Sequence, residues 1–300
     1  MGMNRIDGYL CIDDCDMVIA DKDKHHYWVM IDGCEYYFKP AECPYHELIA
    51  YYAATSLGIE ACYCDLALLN GERGIISKSL RNNKVKLIPG DILLGDYLSN
   101  SIDIIRGMGL PRGFTDSIED SNLKDYDGIF LSEEVNSLEI IWQALEYRYG
   151  NKIDIKEVMN QFVLMYLFTI IFHDMDRHPG NWMIMESEDR VKLAPLFDNE
   201  RIFNDYWCGV NLTTNFNDPG EDIGFSLCEF LKISSSEYYD LFMNMFDKIV
   251  SNFDSILKMV ERQIGRRMPS VERKYVISML NKNILIINKA LNNSFGRKKK

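Results

Sequence analysis

Residues 173–185 read HDMDRHPGNWMIM, with two aspartates, two histidines, an arginine and an asparagine directly after an apolar run. That run, FVLMYLFTIIF (162–172), is typical of a buried helix. Because Pro179 and Gly180 prevent a helix from continuing, we expect residues 176–181 to form a loop that leaves the buried helix. The charged side chains would then be held rigidly at the end of a core element.

The segment after this loop is typical of a β-hairpin that leads to another aspartate. NWMIM (181–185) and VKLAPLF (191–197) are two apolar runs separated by ESEDR, and Asp198 follows them. Asp176 would lie at the base of this unit and Asn181 on its near side. An aspartate, an asparagine five positions later and a second aspartate beyond a short hairpin follow one another in kinase catalytic loops.

Each of these residue types suits one task in phosphoryl transfer. Asp176 would orient an acceptor hydroxyl and take its proton. Asn181 and Asp198 would supply oxygen ligands to Mg²⁺, which favours carboxylate and amide oxygens together with phosphate; Mn²⁺ is an alternative metal. The structural alternative is that these polar residues only cap the helix end, with His178 as a hydrogen-bonded core histidine.

The first part of the chain is typical of a small lobe rich in strands. HYWVMIDGCEYYFKP (26–40) predicts a hairpin, because its central Asp-Gly pair supplies the positive φ angles of a type I′ turn. PYHELIAYYAATSLG (44–58) opens with proline and closes with glycine, which predicts a helix. CDLALLNGERGIISKSL (64–80) predicts a second hairpin around its Asn-Gly pair. We therefore expect an α+β nucleotide-binding lobe over residues 1–78.

The rest of the chain, residues 79–300, carries mainly helical patterns. In SSSEYYDLFMNMFDKIVSNFDSILKMV (234–260), apolar residues recur at helical spacing. Ser234 and Glu237 have the spacing of a capping box at the start of this helix. The sequence thus predicts an α+β, bilobal fold, with a small β-rich N-terminal lobe and a larger helical catalytic lobe.

Lys39 and Glu47 are the candidate phosphate-binding residues of the first lobe. Lys39 ends the second strand of the predicted hairpin and could reach the α- and β-phosphates of a nucleotide as a point charge. Glu47 lies in the first turn of the following helix and could pair with it. The structural alternatives are an edge-strand charge for Lys39 and a favourable helix-dipole position for Glu47.

The composition excludes several classes of protein. A net charge of −12 at pH 7 leaves no basic face for binding nucleic acid. The 47% of hydrophobic residues can form a core. The start of the chain lacks an apolar secretory signal, and the run 162–172 is shorter than the roughly 20 residues that span a bilayer. The eight cysteines include no C-x-x-C pair. We therefore expect a cytoplasmic protein with reduced thiols that binds neither nucleic acid nor membrane.

An acidic stretch lies in the predicted helical lobe. Residues 115–139 hold eight acidic residues against a single basic one, Lys124. We interpret this stretch as a solvated loop with helix ends. The alternative is a surface that attracts a cationic partner.

Two segments of the chain are similar to the HipA-like serine/threonine kinases. FTIIFHDMDRHPGNWMIM (168–185) and KLAPLFDNE (192–200) resemble that family's D-R-H-x-x-N loop and A-P-x-x-D segment, and the phosphoinositide kinases share a related loop. YYFKP (36–40), HELIAYYAATSLGI (46–59) and GIISKSL (74–80) resemble the family's lysine strand, glutamate helix and hinge.

The resemblance implies a protein-kinase-like fold that transfers phosphate from ATP to a protein serine or threonine with Mg²⁺. It also implies toxin-antitoxin biology, with an antitoxin-like regulatory protein as partner. The roles implied are catalytic base for Asp176, loop brace for His178, metal ligands for Asn181 and Asp198, phosphate lysine for Lys39, partner of that lysine for Glu47, and backbone contact with adenine for Ile76, Ser77 and Lys78.

The segment expected to cover the phosphates departs from the family pattern. ADKDKHHYW (20–28) contains no glycine, so its backbone cannot approach phosphate closely. We expect this loop to grip phosphate through Lys22 or Lys24 instead. It also lacks serine and threonine, so self-phosphorylation in this loop, a known control in the family, is not expected.

Three other functions stay open from the sequence. Residues 176–181 are also similar to the D-L-H-P-G-N loop of aminoglycoside and choline kinases, and the acidic stretch would suit their cationic substrates. A metal-dependent phosphohydrolase could use His173, Asp174, Asp176 and His178. A non-catalytic, nucleotide-binding pseudokinase is favoured only by the glycine-free loop.

Overall fold

The protein is described here by a computed structural model. It describes residues 4–13, 17–20, 26–82, 84–100, 137–174, 176–203, 227–228, 230–232, 234 and 236–296. Two compact units share the chain, and both are discontinuous. Unit 1 holds Met1–Arg81, Pro195–Phe203 and Met243–Ile284, and unit 2 holds Asn82–Ala194, Asn204–Phe242 and Leu285–Lys300. The lobe boundary expected between residues 78 and 79 stays a prediction.

Unit 1 is built on a seven-stranded sheet with the order β1-β2-β6-β7-β5-β4-β3. All neighbouring strands pair antiparallel except β2 and β6, which are parallel. The strands are β1 (Arg5–Ile6), β2 (Tyr9–Cys11), β3 (Met17–Ala20), β4 (Tyr27–Ile31), β5 (Cys34–Pro40), β6 (Cys64–Leu69) and β7 (Glu72–Lys78).

The two hairpins predicted in this sheet are confirmed. Asp32 and Gly33 have φ angles of 49° and 72°, and Asn70 and Gly71 have φ angles of 52° and 82°. Two successive residues with positive φ define a type I′ turn, whose twist matches that of the flanking strands. Both turns therefore set the register of their strands directly from local sequence.

Helix α1 (Pro44–Ser56) packs against β6 and β7 and begins with proline, as predicted. Shortly after the end of α1, the segment Pro195–Phe203 joins the same unit through a short parallel bridge between Ala61 and Leu196. The N–H of Leu196 donates to the carbonyl of Glu60 over 2.8 Å, and the N–H of Cys62 donates to the carbonyl of Leu196 over 2.7 Å. This bridge carries Asp198 into unit 1.

Unit 2 contains a three-stranded antiparallel sheet with the order β10-β9-β8. The predicted hairpin after the charged loop is confirmed as β9 and β10, with Glu186 opposite Val191. The elements are β8 (Lys86–Pro89), α2 (Gly90–Asn100), α3 (Leu138–Tyr149), α4 (Ile155–Phe172), β9 (Met183–Glu186) and β10 (Val191–Leu193). The acidic stretch 115–139 lies outside the described residues except for residues 137–139.

Helix α4 is the buried helix expected before the charged loop. It has 18 residues, so the eleven-residue run in the sequence underestimated its length. Its mean hydropathy of 1.4 and its length would allow it to cross a membrane, although 67% of it is buried inside the protein. A core helix meets the same criteria, and in the described part of the chain no other helix does.

Two long helices follow, α5 (Ser236–Ile264) and α6 (Ser270–Phe295). The predicted apolar stripe of α5 is buried, from Phe242 to Val260. The predicted capping box is wrong. The N–H of Ser234 donates to the carbonyl of Phe230, so this serine ends an earlier turn rather than opening α5. Its hydroxyl is buried and has no hydrogen-bond partner among the described residues.

Candidate active site

Lys39 lies near the end of β5, and its side chain is 14% exposed. Its ammonium group forms an ion pair with Asp198 and lies 3.1 Å from a carboxylate oxygen of Glu200. Burial disfavours the charged form, but the carboxylates of Asp198, Glu47 and Glu200 together raise the pKa of this lysine well above its usual value. Unit 1 therefore holds a permanent cation among three acids.

The close approach of β7 to β5 determines the position of Lys39. Gly74 faces Pro40 across the two strands. A Cβ atom added to Gly74 would lie 2.1 Å from the carbonyl oxygen of Lys39, which is far inside van der Waals contact. Only glycine allows this strand spacing, and sequence reasoning did not identify the residue.

Glu47 and Asp198 are positioned by the same short segment. Glu47 is 3% exposed, and its carboxylate accepts the backbone N–H of Asn199. Asp198 adopts a φ of 54°, in the left-handed region that aspartate tolerates better than most residues. Glu47 thus orients the backbone that carries Asp198. The direct pairing of Glu47 with Lys39 stays a prediction, although its charge acts on the lysine.

His46 holds the other end of this segment. Its Nδ1 lies 2.9 Å from the carbonyl oxygen of Glu200, and its ring stacks on Tyr275 of α6 at 6.0 Å between centroids and 11° between planes. Burial lowers the pKa of His46, so the ring is neutral and Nδ1 carries the proton that it donates. Glu200, His46 and Tyr275 were not identified from the sequence, because their contacts join distant segments.

In unit 2 the charged loop is organised by a buried guanidinium. Arg177 is 1% exposed and Asp174 is 0% exposed. The Nε and terminal nitrogen atoms of Arg177 donate to one oxygen of Asp174, and its other terminal nitrogen donates to the carbonyl of Asn181 over 2.8 Å. The second oxygen of Asp174 accepts the N–H of Asp176 over 3.3 Å. One ion pair therefore pins both ends of the loop.

His178 faces Asp176 within this loop. The N–H of Gly180 donates to Nδ1 of His178 over 3.0 Å, so the proton of a neutral ring lies on Nε2. That atom is 3.8 Å from a carboxylate oxygen of Asp176. The loop-bracing position expected for His178 fits this geometry, while its catalytic role and that of Asp176 stay predictions.

Asn181 is oriented so that its amide oxygen is the atom suited to a metal. It belongs to a short 3₁₀ turn, Pro179–Asn181, and its amide nitrogen donates to the carbonyl of Asp176 over 2.6 Å. An amide oxygen, as in Asn181, and a carboxylate, as in Asp198, are each ligand types that Mg²⁺ accepts, and the binding of a metal by these two residues stays a prediction. Among the described residues, no group of three or more His, Cys, Asp or Glu side chains could hold a metal ion.

The loop also packs against the start of α2. The N–H of Gly90 donates to the carbonyl of Trp182 over 3.0 Å. A Cβ atom at Gly90 would lie 2.5 Å from both the carbonyl oxygen of Pro179 and the indole ring of Trp182. The Pro-Gly pair at residues 89–90 was the only sequence signal for this close contact.

The six residues with the predicted chemical roles fall into two sets. Lys39, Glu47 and Asp198 belong to unit 1, whereas Asp176, His178 and Asn181 belong to unit 2. Within each unit the members lie close together as described above.

The predicted adenine contacts lie in β7, between β5 and β6. The N–H of Lys78 donates to the backbone carbonyl of Tyr63 over 2.8 Å, and the N–H of Ser79 donates to the backbone carbonyl of Glu35 over 3.0 Å. Ile76 and Ser77 pair with strands on both sides. Backbone contact of residues 76–78 with adenine stays a prediction. Lys22 and Lys24 lie outside the described residues.

Replacing Asp174 with alanine should destabilise the protein strongly, because the buried guanidinium of Arg177 would lose its counter-charge. We expect a loss of about 3–5 kcal/mol in the free energy of unfolding, measured by urea denaturation. The matched control is Glu157→Ala, which breaks the exposed pair of Glu157 with Arg190 and should cost about 1 kcal/mol or less. Equal losses of unfolding free energy for the two variants would contradict the stabilising role of the ion pair between Asp174 and Arg177.

Replacing Gly90 with alanine should displace the loop, because the new methyl group meets backbone and indole atoms. We expect a loss of about 1–3 kcal/mol in unfolding free energy and an altered near-ultraviolet circular dichroism signal from buried Trp182. Ser99→Ala, at an exposed position of the same helix, is the control. If Gly90→Ala had an unchanged circular dichroism signal and were as stable as Ser99→Ala, the contact of Gly90 with Trp182 would not be tight.

The arrangement of strands and helices is similar to that of a solved kinase. The proinflammatory kinase CtkA of Helicobacter pylori matches with a TM-score of 0.59 and 15% identity, over 96% of this chain and 98% of that chain. A chain of the Shewanella oneidensis MR-1 toxin-antitoxin complex of HipA, HipB and operator DNA matches with a TM-score of 0.48 and 13% identity, over 92% of this chain and 63% of its own length.

Beyond the short motifs quoted above, the whole sequence matches no known family or curated protein. The likeness therefore lies in the arrangement of strands and helices, and it runs the length of both this chain and CtkA. It confirms the α+β, kinase-like fold that the sequence predicted.

Proposed function

We propose that the protein is a phosphotransferase that moves the γ-phosphate of ATP to a hydroxyl group with the help of Mg²⁺. The contact between Lys39 and Asp198 carries this proposal. It joins residues separated by 159 positions in a kinase-like fold, and it places a permanent cation beside a carboxylate. Phosphoryl transfer needs both, because its transition state is stabilised mainly by positioning and charge.

The proposed reaction uses Asp176 as the base. Its carboxylate accepts the proton of the acceptor hydroxyl as that oxygen bonds to the γ-phosphorus. The bond from the γ-phosphorus to the oxygen shared with the β-phosphate breaks, and ADP leaves with that electron pair. His178 keeps the carboxylate of Asp176 oriented through its Nε2 atom. Lys39 holds phosphate oxygens in place of the carboxylates that it contacts in the structure.

Asp198 and Asn181 are the proposed metal ligands. Asp198 is 36% exposed, and Asn181 has its amide nitrogen committed to Asp176. When bound, Mg²⁺ or Mn²⁺ would neutralise charge on the phosphates. Release of Asp198 from Lys39 would leave the carboxylate available to the metal, while the lysine turned to the nucleotide.

The proposed acceptor is a serine or threonine of another protein in the cytoplasm. The similarity of residues 168–185 and 192–200 to the HipA-like kinases supports this acceptor class, and with it an antitoxin-like regulatory partner. A small-molecule acceptor would use the same chemistry, and the acidic stretch that favours it lies largely outside the described residues. The phosphohydrolase alternative loses support, since Asp174 is committed to Arg177.

Binding of nucleotide and metal should raise the melting temperature of the full chain. ATP at about 100 times its Kd should add roughly 2.7 kcal/mol to the folded state. The rise should require Mg²⁺ and disappear in Asp198→Ala, but persist in Asp247→Ala, which removes an exposed aspartate of α5 in the same unit. A shift that ignores both Mg²⁺ and Asp198 would contradict the proposed metal site.

Transfer of phosphate should depend on Asp176. Asp176→Asn should lower the rate of γ-phosphate transfer to lysate proteins by about 10²- to 10⁴-fold and leave nucleotide affinity nearly unchanged. Asp240→Asn, an exposed position of α5, is the control. Binding of ATP without transfer to any protein, aminoglycoside or choline would instead favour a pseudokinase.

A further inference from the structure

A row of aromatic side chains lies beside Lys39 on one face of the sheet in unit 1. Tyr37 faces Trp28 of β4 on one side and Ser77 of β7 on the other. Tyr37 and Lys39 are two residues apart in β5, so their side chains point to the same face. Trp28, Tyr37 and Lys39 therefore share a single surface.

Tyr37 is held in this row by two neighbours. Its hydroxyl lies 2.7 Å from Nδ1 of His26, whose ring meets the tyrosine ring edge-on at 5.5 Å. The ring of Trp28 lies 4.7 Å from that of Tyr37 and is tilted by 51°. Trp28 and Tyr37 are thus in direct ring contact within this row.

Arg81 covers a face of Trp28. The central guanidinium carbon lies 4.0 Å from the centroid of the indole ring, although Arg81 itself is exposed to solvent. A guanidinium is flat and stacks on aromatic faces as a nucleobase does. Its position shows that a planar group fits on Trp28. A cation–π contact at an exposed site is weak, so a base that stacks on the same ring could displace the guanidinium.

The strand next to this row has few backbone donors to offer a base. The N–H groups of Lys78 and Ser79 already donate to Tyr63 and Glu35. Residues 76 and 77 pair with strands on both sides. Recognition of a base at this end of β7 therefore depends more on side chains than on the strand backbone.

We infer that the base of the bound nucleotide stacks on Trp28 in the position that Arg81 occupies, with its phosphates directed to Lys39. This inference rests on the proposed function. Two residues along a strand span about 7 Å, and the lysine side chain extends the distance from the row to the ammonium group. That separation suits a nucleoside triphosphate, whose base and phosphates bind apart.

The inferred stacking also defines the class of ligand. An indole face contacts the π surface of a base and does not read its hydrogen-bonding edge, so stacking tolerates different bases. The site should accept purine nucleoside triphosphates in general. We expect the analogues of ATP and GTP to bind within about tenfold of each other.

Titration calorimetry on the full chain tests the inference, with AMP-PNP and inorganic triphosphate as probes, each with Mg²⁺. Trp28→Leu should weaken AMP-PNP binding about tenfold or more and leave triphosphate binding unchanged, because only AMP-PNP carries a base. Trp28→Phe should recover part of the loss. Trp142→Phe, on α3 of unit 2, is the matched control and should bind as wild type does.

Arg81→Ala provides a second test that leaves Trp28 intact. If the base replaces the guanidinium, this variant should bind AMP-PNP as tightly as wild type or more tightly. If Arg81→Ala lost as much AMP-PNP affinity as Trp28→Leu, Arg81 itself would contact the nucleotide, and this loss would overturn the inference. So would equal affinity of wild type and Trp28→Leu for AMP-PNP, or a preference for the ATP analogue over the GTP analogue above about 100-fold.

The outcomes also separate this inference from the proposed function. Lys39→Ala should weaken both probes, because both carry phosphates. If neither probe binds wild type, the nucleotide site itself is wrong. If both bind wild type and depend on Lys39, but Trp28→Leu changes neither, the phosphate site stands and only the stacking position is wrong.

Discussion

The proposed site in unit 1 depends on one largely buried cation, Lys39. Lys39 would be costly to bury alone, and the three carboxylates near it would repel one another without it. Together they offset these costs, and the lysine ties β5 to a segment that lies far away in sequence. The bridge of Leu196 to residues 60–62 and the contacts of His46 hold the same segment from other directions. These contacts together hold the segment Pro195–Phe203 in one preferred position within unit 1.

In unit 2 the guanidinium of Arg177, rather than a lysine, holds polar groups of the charged loop together. A planar guanidinium has donors in several directions, so Arg177 can satisfy a carboxylate and a backbone carbonyl at once. The loop contains only the short 3₁₀ turn Pro179–Asn181, so much of its shape comes from these bonds. The close contact of Gly90 with Pro179 and Trp182 packs the loop against the start of α2. Rigid placement of polar groups is what positioning catalysis requires.

The sequence predicted the features that depend on neighbouring residues. Both type I′ turns follow from the Asp-Gly and Asn-Gly pairs, and the charged loop follows from Pro179 and Gly180. The sequence named Glu47 as the partner of Lys39, which stays a prediction. It did not predict the ion pairs of Lys39 with Asp198 and Glu200, because no local pattern marks contacts between such distant residues. The predicted capping box of Ser234 and Glu237 was wrong because the spacing of the two residues does not reveal that Ser234 is hydrogen-bonded to Phe230.

Other features depend on contacts that no local pattern encodes. The stacking of His46 on Tyr275 joins α1 to α6, so neither residue is informative alone. The buried state of Arg177 is equally hidden, because an arginine in a charged motif is usually exposed.

Gly74 has a consequence for how this chain can change. The distance between β5 and β7 beside Lys39 is possible only because one methyl group is absent. Random substitution could keep every charged residue of the site and still shift the lysine by widening the sheet. The site is therefore vulnerable at a position that carries no functional group, and a search for important residues by chemical type alone would overlook it.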